Sequence, residues 1–259
     1  MTSAVQAHSN SSWGSRLGWA AISLASLIAL WWAAALLADS RNLPSPLDVA
    51  GALSAEAASG DLFYHVGMTL MRVVISFTAA MIIGTAIGLW MGRSASADRW
   101  FDGWLMFFLN LPALVTIVLC FIWFGLTELA AVVAVAVNKI PNVAVTLREG
   151  ARALDEDYQQ LARVYRFGRW KTLRHVILPQ LSPYLAAAAR SGLALIWKIV
   201  LVVELLGRSN GVGFQIHLYF QNFDVAAILA YAIAFIAIVQ CIELFVLQPW
   251  QKAANRWRT

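Results

Sequence analysis

Arg72, Lys139, Arg190, Lys198 and Glu204 stand within, or at the edge of, stretches that are otherwise almost free of charge. Four cations and a carboxylate in apolar surroundings suit one kind of chemistry: stabilising a charged group that has given up its water, because Coulomb interactions strengthen as the dielectric constant falls. They do not suit proton transfer or nucleophilic attack. His8, His65, His175 and His217 are scattered, and no Ser/His/Asp set or carboxylate pair recurs at a catalytic spacing. Cys120 and Cys241 each lie singly in an apolar run, so they read as inert buried thiols, with neither a disulfide framework nor a metal site implied. No catalytic residue is expected.

A second concentration of charge is of a different kind. Gln160 to Pro179, "QLARVYRFGRWKTLRHVILP", holds five arginines and lysines and a histidine with apolar residues woven between them. Tyr158, Leu161, Ala162 and Tyr165 recur at the spacing of an amphipathic helix, and Asp155, Glu156 and Asp157 place acids where a helix N-terminus favours them. After a break near Phe167-Gly168, the residues Trp170, Leu173, Val176 and Ile177 form a second apolar stripe, stopped by Pro179. Two short basic amphipathic helices suit contact with anionic lipid and docking of a protein partner equally well.

The elements that must position these groups are membrane helices. Hydrophobic residues make up 60% of the 259 and charged residues 13%, against about 25% charged in an ordinary soluble domain. A hydrocarbon core about 30 Å thick needs roughly 20 apolar residues per helix. Six runs meet that need: Leu17 to Ala38, Val73 to Gly92, Gly103 to Thr127 across Pro112, Leu129 to Leu147 across Lys139 and Pro141, Leu181 to Leu206, and Val225 to Leu247 with Glu243 near its end. The expected organisation is a polar tail over residues 1–16 and one all-α membrane domain over residues 17–259, with a cytoplasmic loop at about 148–180. The first run is too long for a signal-peptide core and reads as a retained span.

Lysine and arginine orient the spans, since short cytoplasmic loops are enriched in them. One side holds Arg16, Arg93, Arg99, Arg148, Arg152, the cluster from Arg163 to Arg174, and Lys252, Arg256 and Arg258; the other holds Arg41 and Arg208. Both termini are therefore expected in the cytoplasm. This asymmetry accounts for the net charge of +5 without nucleic-acid binding. Within the spans, Arg72 is expected to snorkel at a membrane boundary and Glu204 to pair with Arg208 four residues on. Lys139 and Arg190 fall near mid-membrane and Lys198 in the outer half. A fixed bond to a carbonyl of another helix and a place along a watery pathway are both open for these three.

The basic segment resembles the cytoplasmic coupling loop of ATP-binding-cassette importer permeases. That loop reads Glu-Ala-Ala, three residues, Gly, nine residues, then Ile-x-Leu-Pro. Here Val176, Leu178 and Pro179 match its end, Gln160-Leu161-Ala162 stand in place of Glu-Ala-Ala, and Arg166 falls where the family has glycine, so that Gly168 is expected to supply the turn. "LPSP" (Leu43 to Pro46), "HVGMTLMRV" (His65 to Val73), "IWFG" (Ile122 to Gly125) and "ELLGRSNGVG" (Glu204 to Gly213) extend the similarity to the permeases of the sulfonate, taurine, nitrate and bicarbonate importers.

The resemblance implies the type I importer permease fold in a bacterial inner membrane, as one of two permease copies, most simply a homodimer, with two ATPase subunits beneath and a solute-binding protein outside. It implies that Gln160, Ala162, Arg163, Arg166, Gly168, Arg169, Trp170, Leu173 and Pro179 belong to the ATPase-coupling loop. Trp170 and Leu173 would anchor the contact, with Arg163, Arg169, Lys171 and Arg174 as its rim. ATP and magnesium would be bound by the ATPase, because this chain has no Gly-x-x-x-x-Gly-Lys-Ser/Thr phosphate loop; no cofactor is expected here. Lys139, Arg190, Lys198 and Glu204 are the candidates for the pathway, and the excess of cations points to a small anion as cargo. The family also includes importers of an uncharged pyrimidine vitamin precursor. Gly211 and Gly213 would shape an external gate. An ion-coupled secondary transporter, the competing class, would usually show repeated halves, and no internal repeat is evident.

Overall fold

The computed structural model describes residues 13–38 and 40–249, all of whose regular elements are helical. In chain order they are α1 (Trp13–Ala38), α2 (Pro46–Ser59), α3 (Asp61–Arg93), α4 (Ala95–Asn110), α5 (Ala113–Phe124), α6 (Glu128–Arg152), α7 (Glu156–Val164), α8 (Arg169–Thr172), α9 (Leu178–Gly207), α10 (Val212–Gln221) and α11 (Val225–Ile242). Residues 1–12 of the expected tail, and Lys252, Arg256 and Arg258, lie outside the described residues.

Among the described residues five helices are long and apolar enough to span a membrane, six if the bent pair α4–α5 counts as one span. The third expected span is therefore not one rod: it begins at Ala95 and turns by 95° between Asn110 and Ala113. Pro112 is the cause. It offers no N–H and presses the preceding residue out of the helical region, so Leu111 is extended and α5 restarts after the proline. Pro141, by contrast, is absorbed inside α6. The second expected span is also extended, because α3 begins at Asp61 rather than Val73. Its 33 residues run about 50 Å at 1.5 Å per residue, which carries Arg72 inside the bundle instead of to its rim.

α3 and α6 make the most extensive helix contact, and α9 packs across both. Gly84, Gly88 and Gly92, spaced four apart, line the α3 face that meets α6; a Cβ added at Gly84 would sit 2.6 Å from Val143 Cβ, and one at Gly92 2.6 Å from Ala151 Cβ. Small residues at this spacing let two membrane helices approach backbone to backbone. One apolar core joins Val73, Ile117, Val135, Ile196 and Tyr231; a second, toward the cationic end, joins Val143, Leu147, Leu154, Ile177 and Leu181. α1 lies apart, tethered by the Trp31 indole N–H donating to the Pro44 carbonyl at 3.1 Å. A Ser45–Asp48 capping box starts α2, and Ser45's hydrogen bonds hold the Asp48 carboxyl below its ordinary value.

Candidate functional site

Chemistry-bearing side chains gather at three levels of the bundle. At the cationic end, α7 is capped by Asp155, whose carboxylate accepts from the Asp157 N–H at 2.8 Å and whose own N–H donates to Gln180 of α9 at 2.9 Å. Ala162 is buried, while Gln160, Arg163, Tyr158, Leu161 and Tyr165 are exposed. The helix ends in a Schellman motif: the Phe167 N–H reaches the Ala162 carbonyl at 2.8 Å and the Arg166 N–H the Arg163 carbonyl at 3.0 Å. Such an ending needs a left-handed residue next to the cap, and Arg166 supplies it with φ 49°.

Gly168 does not make the turn. Its φ of −64° and ψ of 159° are ordinary extended angles at the N-cap of α8, so the expectation from the sequence is reversed. Arg166→Gly is expected to raise stability by about 1 kcal/mol, the cost of holding a non-glycine residue left-handed, whereas Gly168→Val should lower it by no more than about 1 kcal/mol, the N-cap preference for glycine over valine. Thermal unfolding of the two purified variants checks the ranking.

The second apolar stripe also turns out to face inward. Ile177 is buried and Leu173 half-buried against the chain's own core, leaving Trp170 (73% exposed) as the apolar group of α8 that points outward. Arg163, Arg166, Arg169, Lys171 and Arg174 are exposed on the same segment, and the Lys171 ammonium lies 4.3 Å from the Phe167 ring centroid. Pro179 does not stop the helix. A π-helical turn over Leu173–Ile177, closed by Leu178 N–H to the Leu173 carbonyl, widens the coil where a proline ring would crowd the preceding turn. α8 thereby runs into α9 as one rod, Arg169–Gly207. Beside it, Arg148 bonds Asp102 at 2.5 Å and Asp98 at 3.4 Å, and Arg152 bonds Asp98 and Glu149, tying the start of α4 to the end of α6.

Within the spans, Lys139 is 2% exposed, its Cε 3.0 Å from where a Cβ at Gly192 would stand, with Phe77 also against that glycine. Lys198 and Arg190 lie on the opposite, uncovered face of α9, where Arg190 Nε is 3.4 Å from Glu243. Among the described residues no carboxylate lies within ion-pair distance of Lys139 or Lys198.

The opposite end of the bundle holds the densest polar cluster. Arg72 (1% exposed) donates from Nη1 to Glu204 at 2.6 Å and to the Asn210 carbonyl at 2.9 Å, from Nε and Nη2 to both oxygens of Glu128, and from Nη2 to the Asn210 side chain. Glu204 is wholly buried and also accepts from Thr69 at 2.9 Å and the Gly213 N–H at 2.8 Å. Arg208 pairs with Glu128 at 2.5 Å, not with Glu204. Neither expectation for this region therefore holds: Arg72 does not snorkel, and the local Glu204–Arg208 pair is replaced by a four-member neutral knot. Gly211, with φ 106°, fits here because a Cβ would strike the Glu204 carboxylate. Nearby, Glu56 of α2 accepts from Tyr231 at 2.7 Å and from Tyr219; burial, then the Glu56 carboxylate, holds the Tyr219 phenol above its ordinary value. Glu128, Thr69 and Asn210 escaped the sequence reading. The one signal available was that a charge deep in a span needs a counter-charge from another element.

Comparison with known proteins agrees with this architecture. The chain is 27% identical over 234 residues to the putative aliphatic sulfonates transport permease protein SsuC of Bacillus subtilis (strain 168), covering 90% of this chain and 84% of that protein. It is 26% identical to the taurine transport system permease protein TauC of Escherichia coli (strain K12), covering 90% and 87%. It is 27% identical to the bicarbonate transport system permease protein CmpB of Synechococcus elongatus (strain ATCC 33912 / PCC 7942 / FACHB-805), covering 73% and 69%. Among solved structures, a chain of the inward-facing MetNI methionine ABC transporter superposes with a TM-score of 0.67 at 18% identity, covering 78% of this chain and 99% of that one, a likeness of fold. Residues 80–252 match the family described as the binding-protein-dependent transport system inner membrane component, and this chain belongs to that family, a transport component rather than an enzyme.

Proposed function

We propose that two copies of this chain form the transmembrane pathway of an importer for a small oxyanion, of the sulfonate, nitrate or bicarbonate kind. The observation that carries this reading is Lys198. It stands in a span, on an α9 face shared with Ala187, Ser191 and Ala194 that is exposed among the described residues. A lysine facing lipid within a span is costly, up to about 2.5–3.5 kcal/mol at the centre. That face therefore belongs against a second copy or an aqueous path, and a two-fold axis there brings two Lys198 ammoniums to one conduit. Lys139 sits a helix behind and adds positive potential. Arg190 shares the uncovered side but is partly neutralised by Glu243. Glu204 is assigned to the knot rather than to the conduit. The relatives, named for sulfonates, taurine and bicarbonate, support anionic or sulfonate cargo.

ATP is hydrolysed by separate subunits seated on α7 and α8, with Trp170, Leu161 and Tyr165 as the exposed anchors and the arginines as their rim. This end faces the cytoplasm, because Arg93, Arg99, Arg148, Arg152 and the 163–174 cluster gather there. A solute-binding protein delivers cargo at the knot's end, and both termini are cytoplasmic. The test is uptake by proteoliposomes holding the complete importer, with radiolabelled taurine, nitrate and bicarbonate as probes. Lys198→Ala is expected to slow uptake at least about tenfold, the effect of removing one charge contact worth about 1.4 kcal/mol, while the ATPase still co-purifies. Trp170→Ala should lose the ATPase. Transport of a cation, or unchanged anion uptake by Lys198→Ala, overturns the cargo reading.

A further inference from the structure

The first turn of α10 is capped by side chains from other helices. Three successive backbone N–H groups at its start are buried and each meets a different acceptor. Gly211 donates to His65 Nδ1 at 3.0 Å, Val212 to Thr69 Oγ at 2.9 Å, and Gly213 to the Glu204 carboxylate at 2.8 Å. A helix leaves its first N–H groups without partners inside the helix, and here His65 and Thr69, one turn apart on α3, with Glu204 of α9, supply all three.

The imidazole can do this in one form only. Because Nδ1 accepts from Gly211, the ring proton must be on Nε2, which lies 2.6 Å from the Gln215 amide. For that ring proton to be accepted, the Gln215 amide turns over from the orientation in which its nitrogen faces Nε2, so that its oxygen, unpaired in that orientation, takes the bond. A proton on Nδ1 would set two N–H groups against each other. The groups around the ring are Asp61, Tyr64, Thr69 and Arg72 of α3, Glu56 of α2, Phe214 and Gln215 of α10, and Tyr231 of α11, with Glu204 of α9 behind Thr69. Among the described residues, the hydrogen-bond partner of Nδ1 is the Gly211 N–H.

We infer that His65, Thr69 and Glu204 are positioning residues that hold α10 over the outer end of the bundle, and that protonation of His65 releases its first turn, so that import falls as the outside is acidified. That release alters import rests on the transport role proposed above; the cap itself does not, and the two are read separately. Hydrogen exchange over residues 208–216 of the purified chain in nanodiscs reads the cap without cargo or ATPase. Corrected for intrinsic rates, exchange at Gly211–Gly213 should rise about tenfold between about pH 7.5 and pH 5.5, bracketing the ordinary histidine value near 6.5. His65→Asn keeps an acceptor near the Nδ1 position and does not titrate, so its profile should stay flat and protected. Thr69→Val should raise exchange at every pH without removing the acid response. A wild-type profile that is flat, or that matches His65→Asn, overturns the cap-release mechanism. Uptake by the complete importer should show the same acid loss in wild type and its absence in His65→Asn; import that ignores pH while exchange responds would keep the cap and refute its bearing on transport.

Discussion

Arg72→Ala is expected to destabilise the chain by about 3–5 kcal/mol, the cost of leaving a buried charge without its partner. The guanidinium links α3 to the start of α6 through Glu128, to the end of α9 through Glu204 and to the segment before α10 through Asn210. Removing it leaves Glu204, wholly buried, facing only Thr69 and one backbone N–H. In a chain of this size the loss corresponds to a fall in Tm of roughly 10 °C, read as thermal unfolding in detergent. Arg72→Lys should recover only part, since an ammonium cannot grip Glu128 with two parallel bonds while also holding Glu204. Adding Glu204→Gln to Arg72→Ala should restore stability relative to the single variant, because the neutral amide no longer demands a counter-ion. Such opposite-signed coupling marks a direct interaction. A Tm for Arg72→Ala within a degree or two of wild type would show that the knot contributes nothing.

The knot also explains which parts of the sequence were readable. Apolar runs of about 20 residues gave the spans, because lipid requires every backbone group to be satisfied inside its own helix. The periodicity at Tyr158, Leu161, Ala162 and Tyr165 gave α7. Both are local signals. The Arg72–Glu204 bond joins residues 132 positions apart, and no spacing rule connects them. Counting Arg72 as uncompensated overstated the positive charge of the spans. With Arg72 and Arg208 balanced by Glu128 and Glu204, and Arg190 beside Glu243, the excess rests on Lys139 and Lys198.

Two local features misled for a different reason. Pro112 and Pro141 look alike in sequence, yet one breaks a helix and the other does not, because accommodation depends on the helices around them. Pro141 is buried in α6, packed on both α3 and α9, whereas Pro112 is exposed where α4 meets α5. Arginine rarely adopts a left-handed backbone, which is why the sequence points to Gly168 rather than Arg166 for the turn. The Schellman hydrogen bonds impose that conformation on whichever residue follows the cap, and the family pattern of a glycine at this place has the same cause.

Gly88→Val is expected to separate α3 from α6 and abolish transport, in contrast to a change at an exposed glycine nearer the start of the same helix. A Cβ at Gly88 would lie 2.5 Å from the Ala144 carbonyl oxygen, 2.8 Å from Leu147 Cβ and 2.9 Å from the Arg148 N–H nitrogen. Two of these are backbone atoms of α6, so no rotamer change makes room and the helices themselves must move. Overpacking in a rigid core costs about 1–3 kcal/mol, and valine adds two methyl groups to the clash. The displacement is not confined to its site. α6 carries Glu128 of the knot at one end and Arg148 and Arg152, bonded to α4, at the other. A shift of α6 by the width of a methyl group therefore disturbs both ends of the bundle. Gly67 is the control on the same helix: a Cβ there meets nothing within 4 Å, and Gly67→Ala should be neutral or stabilising by up to about 1 kcal/mol, since it reduces the backbone freedom lost on folding. Size-exclusion profiles after heating, with uptake by the complete importer, compare the two. If Gly88→Val stays monodisperse and active at the temperatures that Gly67→Ala survives, α3 and α6 do not move as one unit and the two ends of the bundle are not linked through them.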